Sequence, residues 1–260
     1  MTETSPGVHV DIETRSDGGR IATVTYDNRY KLNCLPSPLL TAFVTTFERL
    51  GEDDDLRAVV LTGAGDKAFI GGADINELSD LTPDTARAFI SKVQAACGAV
   101  RALPVPVVAR IRGYCLGAGL EIAAACDLRI ADDSAVFGMP EVRVGLPSVV
   151  EAALLPQLVG WGKAREMVYL ALNYPAAEAA AMGLVERLVA PAELDAAVAE
   201  WVDHIASAGP LAIRAQKALI AKWEALPLED AIQAGIDSLA DSYHTDEPRR
   251  MMQPFFDRKR

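Results

Sequence analysis

The sequence predicts an α/β protein whose C-terminal part is helical. Up to about residue 150, short continuous apolar runs alternate with amphipathic helical stretches, as when strands are covered on both faces. Beyond that point the periodicity is almost entirely helical, with Pro and Gly between segments. The division places an α/β core over residues 1–190 and a helical region over 191–260. A tail this apolar is expected to pack on its own core or on another subunit. Half of the 260 residues are hydrophobic and 23% are charged, a balance that supports a buried core and is far from disorder.

The elements follow in order. Val8–Thr14 and Arg20–Tyr26 alternate and carry β-branched residues, which predicts a hairpin turning at Asp17-Gly18-Gly19. Residues 37–50 read as a helix: Ser37 suits the cap, Pro38 the first turn, and Leu39, Leu40, Phe43, Phe47 and Leu50 share a face. Ala58–Leu61 is a doubly covered strand, and a helix near 83–101 again starts with Pro. Val105–Ile111 and Leu128–Ala131 are further buried strands. Helical segments are expected near 150–171, 176–182, 191–207, 210–224 and 228–243.

Composition excludes several functions. With 25 Lys+Arg against 36 Asp+Glu, the net charge is −11, which argues against nucleic acid or anionic lipid as the main partner. A local basic patch can still serve a small polyanion. The N-terminal residues lack a signal-peptide pattern, and no apolar run reaches the roughly 20 residues of a membrane span. Cys34, Cys97, Cys115 and Cys126 include no CxxC pair, so reduced thiols in a cytoplasmic protein are the expectation. His9, His204 and His244 stand apart from any Cys or carboxylate cluster with metal-ligand spacing, so no metal site is expected. HExxH, the GxSxG elbow and the P-loop are absent, and the GxGxxG pattern fails because its third glycine falls at Ile122.

Two strand-to-helix turns rich in Gly carry more information. In Leu61–Ile75 a buried strand gives way to Gly71-Gly72-Ala73-Asp74, where glycines let the backbone approach a ligand. In Gly113–Asp127 a helix begins near Ala118, and its first-turn N–H groups lack internal partners. One backbone donor from each turn would make an oxyanion hole. Glu121 lies in that first turn within an otherwise apolar segment, where a carboxylate is costly unless it is bonded or catalytic. Glu141 follows a short strand and a Pro turn in Phe137-Gly138-Met139-Pro140-Glu141. Each of these features alone also reads as an ordinary turn or a solvated glutamate. Two donor turns and two carboxylates, with no His, Cys or metal chemistry nearby, are what argue for function.

At these residues the sequence resembles the crotonase (enoyl-CoA hydratase/isomerase) family. The resemblance runs through Asn28–Asn33, Phe69–Glu77, Gly113–Asp127, Phe137–Gly145 and Ala179–Val185, in the family's order. It implies a spiral of ββα/βαβ turns with a C-terminal helical region for trimerisation and active-site cover, assembled as a homotrimer or dimer of trimers. It implies that the N–H groups of Ala73 and Ala118 hold the acyl-thioester oxygen, and that Glu121 and Glu141 are the acid/base pair of a hydratase. On that reading Glu121 accepts a proton from water and Glu141 delivers one to the α-carbon. Arg29, Lys31 and Asn33, with Gly72, Asp74 and Ile75, fall where members contact CoA. An acyl-CoA is the implied partner, and no cofactor is implied beyond the CoA that the substrate carries.

The sequence departs from the family in two places. Asn76 stands where members often place a basic residue, and Arg258-Lys259-Arg260 offers a basic end instead, although a solvated charged tail is its plainer reading. After Leu146-Pro147, hydratases have a Gly-rich run; here the chain reads Ser148-Val149-Val150-Glu151. Glu151 reads first as a helix-start glutamate and second as a third pocket acid. An enoyl-CoA hydratase is the leading expectation. A specialised dehydratase, isomerase or acyl-CoA hydrolase of the same family comes next, then a non-catalytic scaffold.

Overall fold

A computed structural model of the chain describes residues 5–257. β1 (Gly7–Thr14) and β2 (Arg20–Asp27) form the expected antiparallel hairpin, with Val10 opposite Val24. In its turn the Asp17 carboxylate accepts from the Gly19 N–H at 2.9 Å, the local bond that suits Asp to turns. α1 (Ser37–Gly51) has Pro38 in its first turn and buries Leu40, Phe43, Phe47 and Leu50, spaced so that one face is apolar. β3 (Leu56–Gly63) pairs parallel with β2. Its Val59 and Leu61 enter the main core, while Ala58 and Val60 enter a second core on the opposite face. That double burial is why the run reads as continuously apolar.

From β3 the chain winds as a spiral in which each turn gives a strand to a large sheet and then a three-residue strand to a small one. β3 leads to β4 (Ala68–Ile70), α2 (Ile75–Ser79) and α3 (Pro83–Ala102). β5 (Val107–Ile111) leads to β6 (Tyr114–Leu116) and α4 (Ala118–Ala125), and β7 (Leu128–Asp132) leads to β8 (Val136–Gly138). After α5 (Leu155–Leu170), β9 (Asn173–Pro175) closes the small sheet; after α6 (Ala176–Ala181), β10 (Arg187–Val189) closes the large one. The large sheet runs β1-β2-β3-β5-β7-β10 and the small one β4-β6-β8-β9. The successive turns pair in parallel, β3 with β5 and β5 with β7, and likewise β4 with β6 and β6 with β8.

The main core lies between the large sheet and α1, α3 and α4. On the other face, α7 (Leu194–Ala206) covers the sheet with Leu194, Ala197, Val198 and Val202. α8 (Pro210–Ala225) is anchored by Lys217, whose buried ammonium donates to Val105 O at 2.9 Å and to Asp127 at 2.8 Å. α9 (Leu228–Ser242) and α10 (Glu247–Asp257) follow. The buried Glu247 carboxylate accepts from the N–H groups of Leu211 at 3.1 Å and Ala212 at 2.8 Å, capping α8 from the tail. Among the described residues no helix is long and apolar enough to cross a membrane.

Three expectations need correction. The stretch near 150–171 is not one helix: Val150–Leu154 is a 3₁₀ turn, and α5 is broken at Gly160, whose φ of 75° and ψ of 157° lie outside helical space. The helical tail extends beyond 243, since α10 forms in spite of Pro254. The strands β4, β6, β9 and β10 were not anticipated; three residues are too few to show a period. The basic end Arg258-Lys259-Arg260 lies outside the described residues.

Candidate active site

The spiral places equivalent ends of successive turns side by side, and a cavity of about 1190 Å³ opens there. Gly72, Ala73, Asp74 and Ile75 line it from the first turn, Gly117, Ala118 and Glu121 from the second, and Glu141 from the third. The first two segments touch: a side chain on Gly72, where φ is +106°, would sit 3.1 Å from the Leu116 carbonyl oxygen. Glycine is required there by both the backbone angle and the close approach. Ala73 is bridged to Leu35, but the bonds run through its neighbours, from Leu35 N to Gly72 O and from Asp74 N to Leu35 O. Ala118 is the first residue of α4. Neither the Ala73 nor the Ala118 N–H has an acceptor among the described residues, so two backbone donors face one cavity.

Glu121 sits in the first turn of α4 and is 3% exposed. Burial pushes its carboxyl up to about 8, and the negative Glu141 and Glu151 push it in the same direction, while the N–H groups of Val149 and Ala152 pull it down. At neutral pH it therefore holds a proton. Glu141 opens the 3₁₀ turn Glu141–Val144. Its Oε1 lies over Gly117, whose φ is +52° and where any side chain would collide with it; its Oε2 accepts from the Ser148 hydroxyl at 2.8 Å. Burial raises its carboxyl above the usual range and the Ser148 hydroxyl lowers it. The two acids thus flank the N-terminus of α4, one on either side of the Ala118 donor.

The residues matched to CoA contacts separate into two groups. Lys31 lines the cavity, with its ammonium 3.3 Å from Asp74 Oδ2. Asp74 is buried and caps α2 by accepting from the Asn76 N–H at 3.0 Å. Burial drives Asp74 upward, but the Asn76 N–H and the Lys31 ammonium outweigh it and hold the carboxyl below its usual value. Ile75 is exposed at the rim. Asn33 does not belong with them: it is 1% exposed, and its amide accepts from Asn28 N at 2.9 Å and donates to Ala64 O at 3.0 Å and Ala68 O at 2.7 Å. Its side chain closes the loop and does not line the cavity. Arg29 does not line the cavity either; its guanidinium is held by Asp27, Nη2 to Oδ2 at 2.6 Å.

Sequence reasoning missed other members of the site. Arg87 of α3 and Arg143 line the cavity with Lys31, giving three cations around one opening in a chain of net charge −11. Phe89, Ile90 and Val93 of α3 make an apolar wall. The sequence predicts a helix near 83–101 but does not show that a cavity lies along it. Ser148 and Val149, noted only as departures, bond Glu141 and line the cavity respectively.

Comparison with known proteins agrees with this geometry. The family model described as enoyl-CoA hydratase/isomerase matches residues 16–260. A short-chain-enoyl-CoA hydratase of Clostridium acetobutylicum is 32% identical over 243 residues, 93% of each chain. A crotonyl-CoA hydratase of Syntrophomonas wolfei is 34% identical over 91% of this chain and 92% of its own. The crystal structure of an enoyl-CoA hydratase from Bacillus anthracis superposes with a TM-score of 0.91 at 31% identity, covering 96% of each chain. The family model spans nearly the whole chain and the superposition covers 96% of it, and on that ground the chain belongs to the enoyl-CoA hydratase/isomerase family and has the crotonase fold.

Proposed function

We propose that this protein is an enoyl-CoA hydratase, adding water reversibly to a 2-enoyl-CoA thioester to give a 3-hydroxyacyl-CoA. The observation that carries this reading is the convergence on one cavity of two unpartnered N–H groups, Ala73 and Ala118, and two carboxyl groups, Glu121 and Glu141. Names of relatives at 32–34% identity point the same way. Addition of water at the β-carbon moves negative charge to the thioester oxygen as an enolate. Two fixed amides stabilise that oxygen without reorganising, and each is worth roughly 3–4 kcal/mol. Glu121 takes a proton from water and Glu141 delivers one to the α-carbon; the reverse reaction exchanges these roles. The pair shares one proton: hydration starts with it on Glu141 and Glu121 ionised, and ends with it on Glu121, the form the free site favours, so the proton returns to Glu141 before the next hydration turnover.

Lys31, Arg87 and Arg143 supply the positive rim for the phosphates of CoA, and the wall of Phe89, Ile90 and Val93 takes the acyl chain. Both proton transfers belong to the carboxyls, so the proposed reaction takes no cofactor beyond the CoA of the substrate. The exposed apolar faces of α9 and α10 are the proposed subunit interface of a trimer or dimer of trimers. Val149 in the cavity wall, where hydratases carry small residues, favours one second reading, a dehydratase or isomerase of the same family.

The test is turnover of crotonyl-CoA, followed by loss of the conjugated thioester absorbance. Glu121→Gln and Glu141→Gln are each expected to lower kcat at least about a hundredfold with the fold intact. Near-wild-type turnover in either variant would remove that residue from the mechanism. Absence of turnover in the parent protein, with acyl-CoA still bound, would favour the second reading.

A further inference from the structure

Glu151 lies next to the site, and the proposed chemistry gives it no part. It lies in the 3₁₀ turn Val150–Leu154, which packs on α4 and α3. The turn is entered through Val150 at φ +40°, a left-handed conformation that β-branched residues rarely adopt. Such a conformation persists only where the surroundings impose it. Val149, just before it, lines the cavity, and the peptide N–H groups of Val149 and Ala152 face the Glu121 carboxyl. Glu151 sits between those two residues but does not line the cavity. Its Oε2 is buried and accepts no hydrogen bond among the described residues. A buried carboxylate oxygen left unpaired costs on the order of 1–3 kcal/mol, so a helix-start role alone does not account for it.

The charged and titratable groups around it come from every neighbouring element. α3 contributes the Cys97 thiol and the more distant Arg101, both of which favour the ionised form of Glu151; α4 contributes Glu121. Glu141, on the far side of Glu121, completes the set. Arg101 is itself bonded at 2.7 Å to Glu224 of α8, which keeps it from neutralising Glu151 fully. Burial works the other way and raises the Glu151 carboxyl.

We propose that Glu151 is a positioning residue that acts through Glu121: its charge, outside the cavity wall, adds to burial in holding the pocket's shared proton on Glu121. Like charges close together cannot both ionise freely. A negative Glu151 beside Glu121 but remote from Glu141 therefore drives the proton onto Glu121. This rests on the acid/base reading given above, and it gives a role to the buried, unpartnered Oε2 that follows the strained Val150.

The experiment is the pH profile of kcat/KM for crotonyl-CoA hydration in the full-length protein, compared across wild type, Glu151→Gln and Glu151→Asp. Wild type is expected to lose activity on the alkaline side as the pair gives up its last proton. Glu151→Gln should move that limb down by about one pH unit, and Glu151→Asp, which keeps the charge, should leave it near the wild-type position. An unmoved limb in a folded Glu151→Gln variant overturns the proposal. If that variant does not fold, ¹³C-carboxyl NMR of the wild type decides: an ionised Glu151 beside a protonated Glu121 at pH 7 supports the proposal, and a protonated Glu151 overturns it. Glu121→Gln separates the two levels. Loss of turnover there with no limb shift in Glu151→Gln rejects this inference alone, whereas retained turnover in Glu121→Gln rejects the acid/base reading itself.

Discussion

A carboxyl group with 3% exposure inside a wall of Leu, Ile and Ala is an energetic liability, and its sign can be worked out for Glu121. The group titrates near 4.3 in an unfolded chain and at about 8 in the fold. Below about pH 4 both states are protonated. Between about 4 and 8 the unfolded chain has released its proton and the folded chain still holds it, so stability falls as pH rises through that window. Glu121→Gln is therefore expected to raise the apparent Tm at pH 8 and to leave it nearly unchanged at pH 4.5. The limiting gain is on the order of 4 kcal/mol. Thermal melts of both proteins at the two pH values check this; equal melting points at pH 8 would mean that Glu121 is ionised without cost. Glu121 was legible in the sequence because it interrupts an apolar run. Glu151 does open a helical turn, the first of its two sequence readings, but the sequence does not show that its Oε2 is buried there. Asn33 was placed on the wrong side of its loop, since a ligand contact and a loop closure call for the same polar residue.

At the level of elements, the N-terminus of α4 does two things at once: it begins a buried helix and it presents the Ala118 N–H to the cavity. Proline is tolerated at a first helical position, where its missing N–H breaks no helical bond. Ala118→Pro is therefore expected to keep the far-UV circular dichroism spectrum and to lower kcat by about 10²–10³. A variant that keeps full rate would show that this amide does not meet the developing charge. Elements of five or more residues with a clear period, such as β2 and α1, or with a continuous apolar run, such as β3, were legible. The small sheet was largely not, because β4, β6 and β9 owe their strand geometry to neighbouring turns of the spiral rather than to their own composition.

For the molecule as a whole, the helical tail divides its apolar surface. α7 spends its face on the large sheet, but Leu228, Ile232, Ile236, Leu239 and Tyr243 of α9 and Phe255 and Phe256 of α10 stay exposed. The sequence showed a tail too apolar to be free and left open which part seeks its own core. A single chain is not expected to leave such a stripe in water. If the proposed trimer or dimer of trimers uses this stripe, charging it with Ile232→Asp and Leu239→Asp together should reduce the light-scattering mass to that of one chain, and an assembly of unchanged mass would place the interface elsewhere. The tail also has a thermodynamic hold on the catalytic end of the fold. Glu247 caps α8, and Lys217 of the same helix joins the start of β5 to Asp127, two residues past the end of α4. Loss of the Glu247 cap is thereby expected to loosen α8 first and, through one ammonium, the segment just past the helix that bears Glu121.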